Sequence, residues 1–138
     1  MKPKTFHYDR LVKSEDLNHH STLFAGRCSE WFVEAGFIAV ANVLPPNSIV
    51  CLKIHGLTFT RPIGSGDIAC FESKIIHTGK SSLKVYVALK HLEDKDPIVK
   101  GFITFVHVNE TGKPIPHGLT VELTEPEDIG LNRQAKVL

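Results

Sequence analysis

Apolar side chains between residues 22 and 44 recur at helical spacing. The positions three or four apart are Phe24, Cys28, Trp31, Phe32, Ala35, Ile38, Ala39 and Asn42. This spacing predicts an α-helix from about Thr22 to Leu44, with Ser21 or Thr22 as its N-cap and Pro45 as its stop. Apolar residues also occupy the opposite side, so the helix is predicted to be buried on nearly all sides.

Beyond this helix the apolar positions alternate with polar ones, and a period of two predicts β-strands. The predicted strands cover residues 49–61, 68–77, 82–91 and 98–108, and a shorter strand covers 5–12. Gly56 lies where the apolar phase of the first long strand flips, which predicts a bend there. Short turns join the later strands, so neighbouring strands are expected to be antiparallel.

Only one helix is available to cover the apolar face of this sheet. The pattern therefore predicts an α+β fold in which a curved five-stranded antiparallel sheet wraps a long central helix. The 138 residues form one predicted domain. About residues 112–138 carry prolines and little periodicity, and they are expected to be a poorly structured tail. A second copy of the chain is expected to complete the burial of the helix.

The charge and cysteine content narrow the choice of function. The net charge of +1 suggests no general affinity for nucleic acid or anionic membranes, and no apolar run is long enough to cross a bilayer. With no apolar signal region near the start, a cytoplasmic location is expected. Cys28, Cys51 and Cys70 are interpreted as reduced, buried residues; a nucleophilic Cys28 is the alternative.

A polar loop followed by an acidic residue in the apolar helix is the strongest chemical signal in the chain. Asn18, His19, His20, Ser21 and Thr22 precede the helix, and Glu34 lies within it. A carboxylate among apolar residues is costly without a partner or a purpose. Desolvation there is expected to raise its pKa, which suits a general base.

Four motifs, in order, resemble the hotdog-fold acyl-CoA thioesterases, specifically the acyl-CoA hydrolase branch. They are Asn18-His19-His20-x-Thr22-Leu23-Phe24-x-Gly26, Glu34-Ala35-Gly36, Phe59-x-Arg61-Pro62-Ile63 with Gly66-Asp67, and Thr78-Gly79-Lys80-Ser81-Ser82. The resemblance implies a homodimer with active sites at its interface, commonly assembled into tetramers or hexamers. It also implies hydrolysis of an acyl-CoA thioester to a carboxylic acid and CoA, a reaction of lipid metabolism, with no metal and no cofactor beyond the CoA of the substrate. Many members carry an acid one residue before Glu34, where this chain has Val33.

The hydrolysis of a thioester needs an activated water or nucleophile and a group that stabilises the oxyanion. Glu34 is the predicted base or nucleophile, and Asn18 and Thr22 are the predicted polar partners in the loop. Free backbone N–H groups at Ala25 and Gly26 are predicted to hold the oxyanion, since helix starts present such donors. The structural alternatives are an ion pair of Glu34 with Arg27, an Asx-turn at Asn18, and ordinary helix capping.

The resemblance places the turn Thr78-Gly79-Lys80-Ser81-Ser82 against the CoA moiety, where Lys80 would pair with phosphate. Arg61 is predicted to hold the nucleotide or to pair with Asp67. Turn chemistry alone also explains the glycine and serines. His19 and His20 are expected to point in opposite directions, which argues against a shared metal.

Two other functions stay open. A hotdog-fold hydratase or dehydratase of acyl thioesters would use His20 and Glu34, which are fourteen residues apart, but the proline-rich run expected between them is absent. The second open function is a non-catalytic acyl-CoA binding module. Val33 favours it because many members of the family carry an acid at this position.

Overall fold

The central helix is surrounded by one antiparallel sheet. The computed structural model describes residues 1–138. Its strands are β1 (Phe6–Leu11), β2 (Ile49–Ile54), β3 (Ile68–Thr78), β4 (Ser82–His91) and β5 (Val99–His107), and its α-helices are α1 (Ala25–Ala41) and α2 (Pro126–Lys136). The strand order is β1-β3-β4-β5-β2, and every pairing is antiparallel. Because α1 contacts all five strands, the predicted fold class is confirmed.

The core lies between α1 and the inner face of the sheet. Trp31 and Phe32 of the helix are fully buried with Phe71 of β3 and Phe105 of β5. The helix approaches β5 closely at Gly36, where a Cβ atom would lie 3.0 Å from a side-chain carbon of Ile103. Any larger residue would press on this side chain and on the Phe105 ring, so glycine suits the point of closest approach.

The helix begins three residues later than predicted. Phe24 occupies the N-cap position and makes no side-chain capping bond. Ser21 has a φ of 62° in the preceding tight loop, and the Thr22 hydroxyl bonds to Asn18. The capping role predicted for Ser21 or Thr22 is therefore wrong, because both residues belong to the loop.

The first long strand is shorter than its pattern suggested. β2 ends at Ile54, and Gly56 has a φ of 91°, which accounts for the predicted bend. The chain stays beside β5, since His55 N donates to Phe102 O at 2.9 Å and Thr60 N to Ile98 O at 3.2 Å.

The C-terminal segment is ordered, which corrects the expectation of a poorly structured tail. Helix α2 packs on β3, where Lys74 Nζ lies 2.8 Å from Asp128 Oδ1 and Asn132 Nδ2 donates to Ile76 O at 2.8 Å. Ala135 joins Ile76 and Phe102 in a second small core. The helix is short and has few apolar residues, so most of its anchorage is polar and gives no periodic signal in the sequence.

Strand β2 forms one edge of the sheet and is mostly uncovered. Val50, Leu52 and Ile54 are 45%, 68% and 41% exposed. An exposed apolar edge strand is suited to pairing with another chain. Neither helix is long and apolar enough to span a membrane.

Candidate active site

A cavity with both polar and apolar walls opens at the start of α1. We call it the loop cavity; its volume is about 370 Å³. Its lining includes Asn18, Thr22, Ala25, Cys28, Arg61 and Ile63. Three predicted site residues from the loop and helix start therefore lie together, and Arg61 joins them from the segment after β2.

Asn18 organises the loop that forms one wall of this cavity. Its Oδ1 accepts hydrogen bonds from His20 N at 2.8 Å and Thr22 N at 3.3 Å, and its Nδ2 donates to Thr22 Oγ1 at 3.0 Å. The backbone of Asn18 also bonds to Thr22 O at 2.7 Å. The structural interpretation of Asn18, an Asx-turn, is therefore present in the loop. Its position on the cavity wall is compatible with a second role toward a ligand.

The start of the helix presents free donors. The N–H groups of Ala25 and Gly26 have no acceptor within the chain, since the first helical bond runs from Cys28 N to Phe24 O at 2.9 Å. Both residues are exposed. A Cβ at Gly26 would lie 2.6 Å from the ring of Phe24, so this glycine also makes room for that ring. The two free N–H groups can hold a negatively charged oxygen.

A second, apolar opening lies along the later part of the same helix. We call it the helix cleft; its volume is about 380 Å³. It is lined by Tyr8, Val33, Glu34, Phe37, Ile38, Cys51 and Phe105. Its walls come from β1, α1, β2 and β5, so it lies where the two edges of the curved sheet approach the helix. Glu34 supplies the only carboxylate in this lining.

Glu34 is not buried as the sequence suggested. Its side chain is 45% exposed on the single chain, because it reaches past the apolar side chains to β1. There the Tyr8 hydroxyl donates to Oε2, and Arg10 Nη1 lies 3.8 Å from the same oxygen. The proposed alternative partner, Arg27, instead lies 3.4 Å from Asp16.

The loop cavity and the helix cleft are separate within one chain. Glu34 follows Ala25 by nine residues of helix, a rise of about 14 Å. A thioester carbonyl bound at the free N–H groups of Ala25 would lie beyond reach of the Glu34 carboxylate of the same chain.

The predicted CoA-binding residues also lie in two separate places. Arg61 Nη2 bonds to Asp94 Oδ2 at 2.6 Å, whereas the Asp67 side chain accepts from Gly64 N; the predicted Arg61–Asp67 pair is wrong. The turn of residues 78–82 lies at the far end of β3, about 33 Å of extended chain from the end near Asp67.

The 78–82 turn is held by the C-terminal segment. Thr78 Oγ1 accepts from Val121 N at 3.2 Å, and His117 Nε2 lies 2.9 Å from Ser82 O. The backbone oxygens of Lys80 and Ser81 accept from His117 N and His107 N. These contacts give the turn a structural role, while Lys80 itself is exposed.

The cysteines and loop histidines differ in part from expectation. Cys28 and Cys70 are buried but Cys51 is exposed. Burial raises the pKa of the Cys28 thiol to about 12, which disfavours the thiolate that a nucleophile requires. The rings of His19 and His20 lie 4.0 Å apart between centroids. They do not point in opposite directions, because the loop turns there instead of running extended.

Tyr8 and Arg10 were missed by the sequence reasoning. They stand two apart on β1, so both side chains lie on the same face of the strand. The inward positions of β1 are Phe6, Tyr8 and Arg10. The alternation along β1 could have indicated that Tyr8 and Arg10 point inward. It could not indicate that this face of the strand contacts Glu34, which is 26 residues away from Tyr8.

Comparison with known proteins decides the family. The family model of the thioesterase superfamily matches residues 20–98. An uncharacterised acyl-CoA thioester hydrolase of Bacillus subtilis is 31% identical over 116 residues, which are 81% of this chain and 67% of that protein. The chain belongs to the thioesterase superfamily. The matched region covers all of α1, the strands β2 to β4 and most of the loop cavity, whose Asn18 lies just before it.

Solved structures agree with this membership. An apo-hexameric acyl-CoA thioesterase superposes with a TM-score of 0.86 at 28% identity, over 96% of this chain and 86% of that one. An acyl-CoA hydrolase from Staphylococcus aureus, solved with butyryl-CoA and CoA, gives a TM-score of 0.81 at 24% identity, over 96% and 80% of the two chains. The hotdog architecture of this superfamily member is therefore shared along nearly its whole length.

Proposed function

We propose that the protein hydrolyses acyl-CoA thioesters to a carboxylic acid and free CoA. The observation that carries this proposal is the loop cavity, where Ala25, whose N–H group is free, lines the same walls as Asn18, and the free N–H group of Gly26 follows it at the start of the helix. Such a set of fixed donors suits the oxygen of a thioester, which becomes negative when water adds to its carbon. Membership of the thioesterase superfamily supports the same reaction.

The chemistry requires one further group, a base for the attacking water. We assign this role to Glu34, the carboxylate of the helix cleft. A proton passes from water to Glu34 as the new C–O bond forms. The C–S bond then breaks, and the proton returns to the leaving thiolate of CoA. No cofactor beyond the CoA of the substrate enters this sequence, and the cytoplasmic location inferred from the sequence stays a prediction.

The separation of Glu34 from the loop cavity indicates that two chains form each site. Since the two lie about 14 Å apart along one helix, the loop cavity of one subunit is proposed to face the Glu34 of another. The exposed apolar edge of β2 supplies a surface for such an assembly. The hexameric thioesterase that this fold matches gives a precedent. A homodimer is the smallest unit that satisfies this requirement, and tetramers or hexamers also do so.

The remaining predicted residues have proposed roles toward CoA. Arg61 borders the loop cavity and is proposed to contact the nucleotide part of the substrate. The exposed Lys80 of the 78–82 turn is proposed to contact phosphate. Because Arg61 and this turn lie at opposite ends of β3, they are proposed to serve different bound molecules or different subunits.

A non-catalytic acyl-CoA binding function is the second candidate, and Val33 favours it. Variants of the S. aureus hydrolase replace an asparagine and an aspartate that lie fifteen residues apart. Fifteen residues after Asn18 this chain has Val33. Counted from Asn18, this spacing leads to a residue that is not an acid, so carboxylate catalysis is assigned to the next residue, Glu34.

A thiol-release assay over short-chain, long-chain and aryl CoA esters separates these functions. We expect free thiol to form with at least one ester. Ester binding without thiol release would favour the binding module. A change in enoyl ultraviolet absorbance without thiol release would indicate the hydratase or dehydratase chemistry instead.

A further inference from the structure

The Glu34 carboxylate ends a directed chain of three side chains. Arg10 Nη1 donates to the Tyr8 hydroxyl oxygen at 2.6 Å, and that hydroxyl donates its proton to Glu34 Oε2. Arg10 can only donate, so it fixes the direction of the chain. The Tyr8 proton must point away from Arg10 and toward Glu34. Hydrogen bonds linked in this order polarise one another.

Packing holds the first two members in place. The Arg10 guanidinium lies 4.7 Å from the ring centroid of the buried Trp31, and the Tyr8 ring lies 6.1 Å from that of Phe71. Burial, followed by the hydrogen bond to Glu34, raises the pKa of Tyr8 above its ordinary value. The hydroxyl therefore remains a protonated donor at neutral pH.

We propose that Tyr8 and Arg10 are positioning residues that hold one oxygen of Glu34 so that the other is free to act on water. Oε2 is engaged by Tyr8, whereas Oε1 has no hydrogen-bond partner in the chain. This inference rests on the proposed hydrolase function and deepens it. It assigns to β1 a part in the reaction that the sequence did not suggest.

The position of the carboxylate explains why it needs this support. Moving one residue along an α-helix turns the side chain by about 100° around the axis. An acid at 34 instead of 33 is therefore directed toward β1. The neighbouring side chains of Val33 and Phe37 in the helix cleft offer it no donor. Tyr8 and Arg10 are the groups that meet the carboxylate in its new direction.

The test compares the two tyrosines of the chain. Tyr8→Phe removes the hydroxyl but keeps the ring against Phe71. We expect kcat for thiol release to fall about tenfold, with KM changed less than twofold, because the loss of an orienting partner lowers the effectiveness of an active-site group. Tyr86→Phe is the matched control, since Tyr86 packs against Phe102 outside the cleft. Its kcat should equal that of the wild type.

A double variant distinguishes positioning from a merely structural role. If Tyr8 acts through Glu34, Tyr8→Phe combined with Glu34→Gln should be no slower than Glu34→Gln alone. A further tenfold loss in the double variant would overturn the proposal. So would an unchanged kcat in Tyr8→Phe, or full turnover in Glu34→Gln.

Arg10→Met provides a second variant should Tyr8→Phe fail to fold. It keeps an aliphatic stem over Trp31 and removes the donor to the Tyr8 hydroxyl. We expect a kcat three- to tenfold lower, and a wild-type kcat would contradict the positioning role.

Failure of the proposed function gives a different result. The wild-type protein would then release no thiol, and both the proposed function and this inference would be wrong. An active wild type that is insensitive to Tyr8 and Arg10 overturns this inference alone.

Discussion

The loop cavity and the helix cleft differ in the chemistry that their walls offer. Among the apolar residues of the loop cavity stand donors, namely the free N–H group of Ala25, the Asn18 amide and the Arg61 guanidinium. The helix cleft is largely apolar, and its carboxylate, Glu34, accepts a hydrogen bond from the Tyr8 hydroxyl of the same lining. Thioester hydrolysis needs both kinds of group on one carbonyl. On the proposed mechanism, one chain therefore carries the two halves of a site at different places along a single helix.

The two regions also differ in how they are held together. In the loop, Asn18 bonds to residues two and four positions ahead of it. In the cleft, Glu34 depends on Tyr8, a contact across 26 residues. Local bonds form whenever the loop closes, whereas the cleft exists only after the sheet has curled around α1. The geometry of the donors at the loop cavity thus depends on contacts within one short segment, whereas the geometry of Glu34 depends on the tertiary fold.

Removing the acid is expected to have the largest effect. Glu34→Gln should lower kcat for thiol release about a thousandfold, the scale of a lost general base. The fold should persist, since the side chain is half-exposed. Glu30→Gln is a matched control one turn earlier, where Glu30 pairs with Arg27 and lies outside both openings. Equal turnover in the two variants would contradict the role of Glu34.

Removing the loop amide is expected to have the next largest effect. Asn18→Ala should lower kcat about a hundredfold, because a group that steadies the oxyanion is lost. Asn109→Ala is a close control, since Asn109 Oδ1 accepts from Thr111 N and Lys113 N in the same kind of turn. Both variants should lose about 1 kcal/mol of unfolding free energy. A fall in turnover in both would mean that the turn acts only through stability.

Mixing the two inactive variants tests whether the halves come from different chains. Subunits carrying Glu34→Gln and Asn18→Ala should together form some sites with both groups intact, and random pairing would restore about a quarter of the wild-type activity. The mixture should be dissociated and reassembled before the thiol-release assay. Activity no higher than that of either variant would place both halves of the site in one chain.

Replacing Arg61 is expected to have the smallest effect. Arg61→Ala should raise KM for CoA esters three- to tenfold, since an exposed cation contributes modestly to phosphate binding. Asp94→Ala removes the same ion pair but keeps the guanidinium, so it should leave KM unchanged or lower it. An equal rise in KM in both variants would show that the Arg61–Asp94 pair matters only for structure.

Much of the fold could be predicted because the spacing at which apolar residues recur reflects the local backbone geometry, which differs between helices and strands. The spacing around Trp31 gave α1, and the alternation from 82 to 91 gave β4 with its observed bounds. Helix α2 escaped prediction because polar contacts such as Lys74–Asp128 anchor it. The family motifs also selected Asn18 and Glu34, but they could not show that these residues lie in separate openings.

By itself the sequence determined the central helix, the antiparallel strands and the polar loop, since each depends on neighbours within a few residues. The tertiary structure alone decided that Glu34 reaches out of the core to Tyr8 and Arg10, and that Arg61 pairs with Asp94. These contacts join segments 24 to 33 residues apart. The physical reason is that such hydrogen bonds depend on the curvature of the sheet and on the rotation of α1 within it. No local pattern encodes either quantity.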